Sequence, residues 1–276
     1  MEKVYKNYSI LMSVYAKDKP EFLSLAIDSM LSQTIKSNDF VIVEDGPLGE
    51  ELENLLNEYA SKNKEIKVHK LEENSGLGKA LDFGLEFCQN ELVARMDADD
   101  ISLPTRCERL MELFNQNEKL SIAGTNIDEF SDDPNNVLYS RVVPTEDAEI
   151  KKYIRRRSPF NHPTVMFKKS EVIRCGGYGP LKRKQDMDLF SRMMNMDCVA
   201  QNIPESLLLF RADSGNAKRR HSKEYRRNTI IVAKLNYKRK YISFWDLTYI
   251  RFGQFLMGIL PNKLLNKMLR KKAKNK

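Results

Sequence analysis

The chain has no run of about 18 or more uncharged apolar residues, so nothing in its 276 residues reads as a membrane-spanning helix. Its start, Met1-Glu2-Lys3-Val4-Tyr5-Lys6, lacks the apolar core of a signal peptide. Cysteine is scarce: Cys88, Cys107, Cys175 and Cys198 lie far apart with no Cys-x-x-Cys pair, which excludes a zinc framework and a disulfide scaffold. The histidines, at 69, 162 and 221, are too scattered to make a metal site among themselves. No internal repeat or low-complexity linker breaks the sequence. These absences leave a cytosolic chain, 41% hydrophobic, long enough to bury a real core.

What is present is first an uneven charge. The net charge is +8, yet residues 1–150 carry many Asp and Glu. Basic clusters fill the second half: Arg155-Arg156-Arg157, Lys182-Arg183-Lys184, Lys218-Arg219-Arg220, Arg226-Arg227, Lys238-Arg239-Lys240 and Arg270-Lys271-Lys272. Such asymmetry points to an anionic partner: nucleic acid, diphosphate or an acidic membrane surface.

The first hundred residues alternate between strand and helix patterns. Tyr8 to Tyr15 reads as a buried strand, Phe22 to Leu31 as a helix with apolar residues at helical spacing, and Phe40-Val41-Ile42-Val43 as a second strand. An amphipathic helix over Leu52–Tyr59 and a strand at Ile66-Lys67-Val68 follow; Asn74 to Gly78 then opens a helix through Leu85. Further on, strands are expected at Ile122–Thr125 and Thr164–Phe167, a turn at Gly176-Gly177-Tyr178 and a helix from Gln185 to Asn195. This alternation predicts an α/β fold with a parallel sheet covered on both faces.

In such sheets ligands bind outside the carboxyl ends of the strands. The apolar stretch Leu92 to Met96 ends there in Asp97-Ala98-Asp99-Asp100, and the second strand ends in Glu44-Asp45-Gly46-Pro47. Clustered carboxylates repel unless a cation sits among them, and hard oxygen ligands favour Mg²⁺ or Mn²⁺. An exposed acidic turn capping the next helix is the other reading, and Asp100 is assigned that capping role toward Pro104 and Arg106. Asn74 to Lys79 lacks the Gly-Lys-Ser/Thr ending of a P-loop.

The segments Ser13-Val14-Tyr15, Val43-Glu44-Asp45-Gly46-Pro47, Asn74 to Leu81, Ala94 to Asp100, Pro159 to Met166, Gly176-Gly177-Tyr178 and Gln185-Asp186-Met187-Asp188-Leu189 occur in an order that resembles family 2 glycosyltransferases. The resemblance covers roughly residues 8–220. It is nearest to the transferases of amylovoran, other exopolysaccharides and O-antigen. It implies a GT-A, Rossmann-like nucleotide-sugar-binding fold with a mostly parallel central sheet over residues 1–215, and a basic amphipathic helical extension over 216–276.

The resemblance also assigns roles. Tyr15, Asp45, Lys79 and Asp97 are implied as nucleotide-sugar contacts, Asp45 accepting from uracil; Lys79 reads equally as a solvated helix residue. Asp97 and Asp99 form the DxD pair that holds Mn²⁺ or Mg²⁺. Asp186 is implied as the general base, with Asp188 as its rival, and Gln185 stands where the family usually has Glu. His162 is an implied acceptor contact, and Arg219 and Arg220 an implied diphosphate clamp.

The activity this implies is an inverting, metal-dependent transfer of a hexose, galactose or glucose favoured, from a UDP-sugar to a lipid-linked saccharide. The acceptor is expected to be an N-acetylhexosamine on undecaprenyl diphosphate, at the inner face of the cytoplasmic membrane. The aromatic, basic segment from Tyr241 to Leu260 reads either as a peripheral contact with an anionic membrane surface or as a helix packed on the domain. Nucleic acid is not expected as a partner, because such binding leaves the acidic cluster without a purpose. A nucleotidyltransferase is the other enzyme class considered; Tyr15 to Pro20 does not supply its glycine-rich basic loop.

Overall fold

Strands β1 (Tyr8–Val14), β2 (Asp39–Glu44) and β4 (Leu92–Met96) are buried almost throughout, so each needs cover on both faces. In the computed structural model, which describes residues 5–212 and 222–259, helices supply that cover. On one face α1 (Pro20–Leu31), α2 (Glu50–Lys62) and α4 (Arg106–Gln116) pack Leu23, Ile27, Leu52, Leu56 and Leu110 against Ile10, Met12 and Ile42. On the other, α3 (Leu77–Phe87) and α7 (Gln185–Asn195) pack Leu81, Leu85, Met187 and Phe190 against Leu11, Val41, Val43 and Val93. Alternate residues of one strand thus serve two cores, as a period of two requires.

The described residues form a nine-stranded sheet. Its order begins β3 (Ile66–Lys70), β2, β1, β4, all parallel. It continues through β8 (Met166–Lys168), which runs antiparallel to both β4 and β6 (Leu120–Phe130). Then come β9 (Val199–Arg211), parallel to β6, and the two-residue β5 (Ile101–Ser102). Strand β7 (Val137–Arg141) pairs with β6 off this path. The sheet is therefore mixed beyond β4. The expected strand at Thr164–Phe167 holds for Met166 and Phe167, in the three residues of β8, whereas Thr164 ends a 3₁₀ turn, His162–Thr164.

Short helices α5 (Asp147–Tyr153) and α6 (Lys169–Arg174) flank this second half. The chain ends, among described residues, in α8 (Lys223–Lys238) and α9 (Phe244–Ile259). Ser222 caps α8 by accepting from the Tyr225 N–H at 3.1 Å. Helix α8 docks on α7, where Asn236 Nδ2 donates to Ser191 Oγ at 3.0 Å. Leu247 and Ile250 of α9 pack against Ala233 of α8, and Asp246 is gripped by Arg155 and Arg156 at 2.5 and 2.7 Å. The rest of α9 faces outward: Phe244, Trp245, Tyr249, Phe252, Phe255 and Ile259 are all exposed.

Candidate active site

The strand order puts β1 between β2 and β4, all parallel, so their carboxyl ends open at one edge where the connections diverge. Tyr15, Asp45 and Asp97 each follow one of these strands directly.

Asp45 is buried, and its carboxylate is already committed. It accepts from the backbone N–H of Ser75 at 2.7 Å and of Gly76 at 3.0 Å, while its carbonyl accepts from Asn74 Nδ2 at 3.1 Å. The next residue, Gly46, has φ +82°, and a side chain there would run into the Asn74 backbone. The end of β2 is thus stitched to the loop that starts α3. Lys79 lies on the exposed side of that helix.

The ligand oxygens of Asp97, Asp99 and Asp100 lie within 4.8 Å of one another. Asp100 caps no helix: α4 starts at Arg106 with Thr105 as its N-cap, and Asp100 instead sits before β5. One of its oxygens accepts from the Arg211 N–H at 2.9 Å; the other is buried with no partner among the described residues. Burial, then the neighbouring Asp99 and Asp97, push the Asp100 carboxyl well above the usual range. A fourth carboxylate, Asp18, accepts from the Tyr15 N–H at 2.9 Å. Burial first, then Asp99 and Asp97, push it up to about 7 against the pull of that hydrogen bond. Crowded hard oxygens that repel one another, with one buried oxygen unpartnered, suit a divalent cation of the Mg²⁺ or Mn²⁺ type.

Two arginines brace this turn. Arg95, only 1% exposed, pairs through Nη2 with Asp97, and its Nε and Nη1 are buried without a partner among the described residues. Arg211 closes β9: its guanidinium lies 3.9 Å from the Phe22 ring centre and 4.5 Å from that of Phe130, while its Nε donates to the Asp99 carbonyl at 2.9 Å. Neither was singled out from sequence. Arg95 hides inside an apolar strand, and Arg211 lies far along the chain. Only the motif spacing around Asp97 hinted at the first.

Asp186 lies in the first turn of α7, half-buried, and makes no hydrogen bond or ion pair among the described residues. Asp188 differs. It is 5% exposed and holds Arg192 Nε at 3.0 Å and Arg239 Nη1 at 2.7 Å. That pairing ties α7 to the end of α8 and leaves Asp186 as the α7 carboxylate without a partner among the described residues. Gln185 packs on Gly78 of α3, which lets α7 approach the loop that Asp45 organises.

His162 is half-buried, with Nε2 2.9 Å from the Tyr178 hydroxyl and its ring against Phe190. Burial, then the Arg95 charge, hold it well below the usual histidine range, so the imidazole stays neutral. Tyr178 is in turn fixed by Asp82, which accepts its N–H at 2.7 Å. Burial raises the Tyr178 hydroxyl, and Asp186, Asp82 and Asp97 raise it further while Arg95 lowers it. The charges of both Asp97 and Asp186 thus act in the same direction on one buried phenol. Arg219 and Arg220 lie outside the described residues.

Comparison with known proteins gives the family and the fold. A β-1,3-galactosyltransferase of Escherichia coli, named for transfer from UDP-Gal to α-D-GlcNAc-diphosphoundecaprenol, is 35% identical over 254 residues, 92% of each chain. The amylovoran biosynthesis glycosyltransferase AmsE of Erwinia amylovora is 32% identical over 97% of this chain and 99% of its own. Among solved structures, residues 1–349 of S. aureus TarS in complex with UDP-GlcNAc superpose with a TM-score of 0.63 at 14% identity, over 82% of this chain and 66% of that one. That likeness speaks to the fold, which is GT-A; this chain spans about two fifths of the longer TarS chain. The sequence profile described as "Glycosyl transferase family 2" matches residues 9–190, from β1 to the helix bearing Asp186. A Rossmann-like sheet, a carboxylate cluster at the end of β4 and that continuous match make the chain a member of glycosyl transferase family 2.

Proposed function

We propose that this glycosyltransferase moves a hexose, galactose or glucose, from a UDP-sugar to an N-acetylhexosamine carried on undecaprenyl diphosphate, during capsule, exopolysaccharide or O-antigen assembly. The observation that carries the reading is the asymmetry of the two α7 carboxylates: Asp188 is consumed by Arg192 and Arg239, while Asp186 has no hydrogen bond or ion pair among the described residues. The near full-length match to a transferase named for such a donor and acceptor supports the substrate classes.

In this reading Asp97 and Asp99 hold the cation, with Tyr15, Asp45 and Lys79 around the nucleotide. The bound cation supplies charge stabilisation for the departing diphosphate. Asp186 accepts the proton of the acceptor hydroxyl as that oxygen attacks the anomeric carbon from the face opposite the UDP. A single displacement gives inversion. Arg95 fixes the Asp97 carboxylate, and the Asp45 clamp fixes the loop beneath the base.

Residues 1–215 are taken as the catalytic domain and 216–276 as the basic extension. No helix among the described residues is long and apolar enough to cross a membrane. The exposed face of α9, with Trp245 at 75% exposure and the Arg156 guanidinium 4.7 Å from the Tyr249 ring centre, supports peripheral contact with an anionic bilayer at the cytoplasmic face. The test is incubation of purified protein with a panel of UDP-sugars and Mn²⁺, with and without synthetic undecaprenyl-diphosphate N-acetylglucosamine. One donor should release UDP in an acceptor-dependent manner and yield a β-linked disaccharide; an α-linked product, or pyrophosphate release, would overturn the reading.

A further inference from the structure

The loop before α7 holds three consecutive cations, Lys182, Arg183 and Lys184, that no part of the donor site uses. Lys184 stands two residues before Asp186. With about 3.8 Å between successive Cα atoms, it is anchored within about 8 Å of the base. Its backbone is left-handed, φ +65°, a conformation that disfavours a side chain such as lysine and concentrates at functional positions.

The loop is pinned to the start of α8. Lys184 Nζ lies 4.2 Å from the Tyr225 ring centre, and Arg183 Nε is 3.8 Å from Glu224. That ion pair is solvent-exposed and long, so it holds the guanidinium weakly. One residue after Tyr225, Arg226 lies so close over Gly258 that a side chain there would collide with it. The last turn of α9, with exposed Phe255 and Ile259, therefore ends beside the same basic corner.

These contacts join three chemistries in turn: a carboxylate without a partner among the described residues, a cluster of cations, and an exposed aromatic and aliphatic helix face. A glycosylated polyprenyl diphosphate presents the same order: a sugar hydroxyl, two phosphates one ring away, and an apolar chain. We infer that Lys182, Arg183 and Lys184, with Arg226, form the subsite for the acceptor's diphosphate, between Asp186 and the apolar face of α9. The inference rests on the proposed acceptor class and adds where its phosphates are held. Guanidinium and ammonium groups suit phosphate oxygens, and a strained lysine beside the base ties phosphate capture to placement of the hydroxyl.

The test compares two acceptors, one lipid-diphosphate-linked and one a neutral aryl glycoside of the same N-acetylhexosamine, in wild type and in Lys182→Gln/Arg183→Gln and Lys184→Asn. Asparagine tolerates the left-handed backbone, so the second variant keeps the fold. Each removed cation should raise KM for the diphosphate acceptor about tenfold. The ratio of kcat/KM between the two acceptors should collapse toward one, while UDP affinity measured by calorimetry changes less than about twofold. If wild type uses the diphosphate acceptor and the variants keep its KM, or lose both acceptors equally, the subsite assignment is overturned while the proposed function stands. If wild type transfers only to the neutral glycoside, the acceptor class and the subsite both fall.

Discussion

Replacing either carboxylate of α7 by its amide should separate stability from chemistry. Asp188 is buried and holds two guanidinium groups at 2.7 and 3.0 Å. Breaking a buried pair from one side costs about 3–5 kcal/mol, because the partner charges stay behind. Arg192 and Arg239 keep 14% and 28% exposure, so water can reach them and the lower end applies, about 3 kcal/mol. At about 2–4 °C per kcal/mol for a chain of this size, Asp188→Asn should melt about 6–12 °C below wild type. Asp186 has no partner among the described residues to lose, so Asp186→Asn should stay within about 0.5 kcal/mol of wild type. Its turnover, however, should fall by about 10²–10⁴, the usual worth of a general base. Thermal melts by circular dichroism, paired with UDP release at a temperature where both variants are folded, read the two effects apart. Asp188→Asn should keep at least about a tenth of wild-type turnover there, since Asn236 and Ser191 still dock α7. Normal turnover in Asp186→Asn, or a dead but fully stable Asp188→Asn, would refute the assignment.

Asp99→Ala should lower Mn²⁺-dependent UDP affinity by more than about tenfold in titration calorimetry, with metal-free affinity little changed. Gly46→Ala forces a side chain against the Asn74 backbone at φ +82° and should cost about 1–3 kcal/mol in urea unfolding, with weaker UDP binding. His162 has its folded pKa depressed by burial and by Arg95, so the unfolded chain takes up the proton first and stability is lost as pH falls below about 6.5. In His162→Phe that part of the slope, at most about 1.4 kcal/mol per pH unit, should vanish from unfolding curves below pH 6.5. Trp245→Ser with Phe252→Ser should reduce co-sedimentation with phosphatidylglycerol vesicles several-fold and leave release of UDP from a soluble acceptor assay unaltered.

The first half of the fold was legible because its signals are local. Apolar runs such as Val41–Val43 and Leu92–Ala94, and the helical spacing of Leu23, Ile27 and Met30 ahead of them, determine strand and helix without distant help. The parallel order then carries Asp45 and Asp97 to one edge. The second half was not legible in the same way. Strand β9 contains Pro204 and Glu205, where the pairing with β6 slips between Thr125 and Asn126, so alternation breaks mid-strand. Strand β8 is three residues long and takes its identity from β4 and β6 rather than from its own pattern. In the site, the pairing of Asp188 with Arg239 and the bond from the Arg211 N–H to Asp100 are long-range facts with no local signature. Asp100 was misread for a related reason: an Asp shortly before a helix resembles a cap, but its partner is the backbone of Arg211.

The clamp between the end of β2 and the Ser75–Gly76 backbone has a thermodynamic consequence. The loop that would receive a uridine is held by two hydrogen bonds from its own backbone to Asp45, at 2.7 and 3.0 Å, which need no ligand to form. Nucleotide capture then spends little entropy on arranging main chain, and the heat-capacity change on titrating UDP should be small, in keeping with a rigid receptor rather than coupled folding. Variation in affinity among homologous enzymes would accordingly track what lines this slot, not how easily it closes.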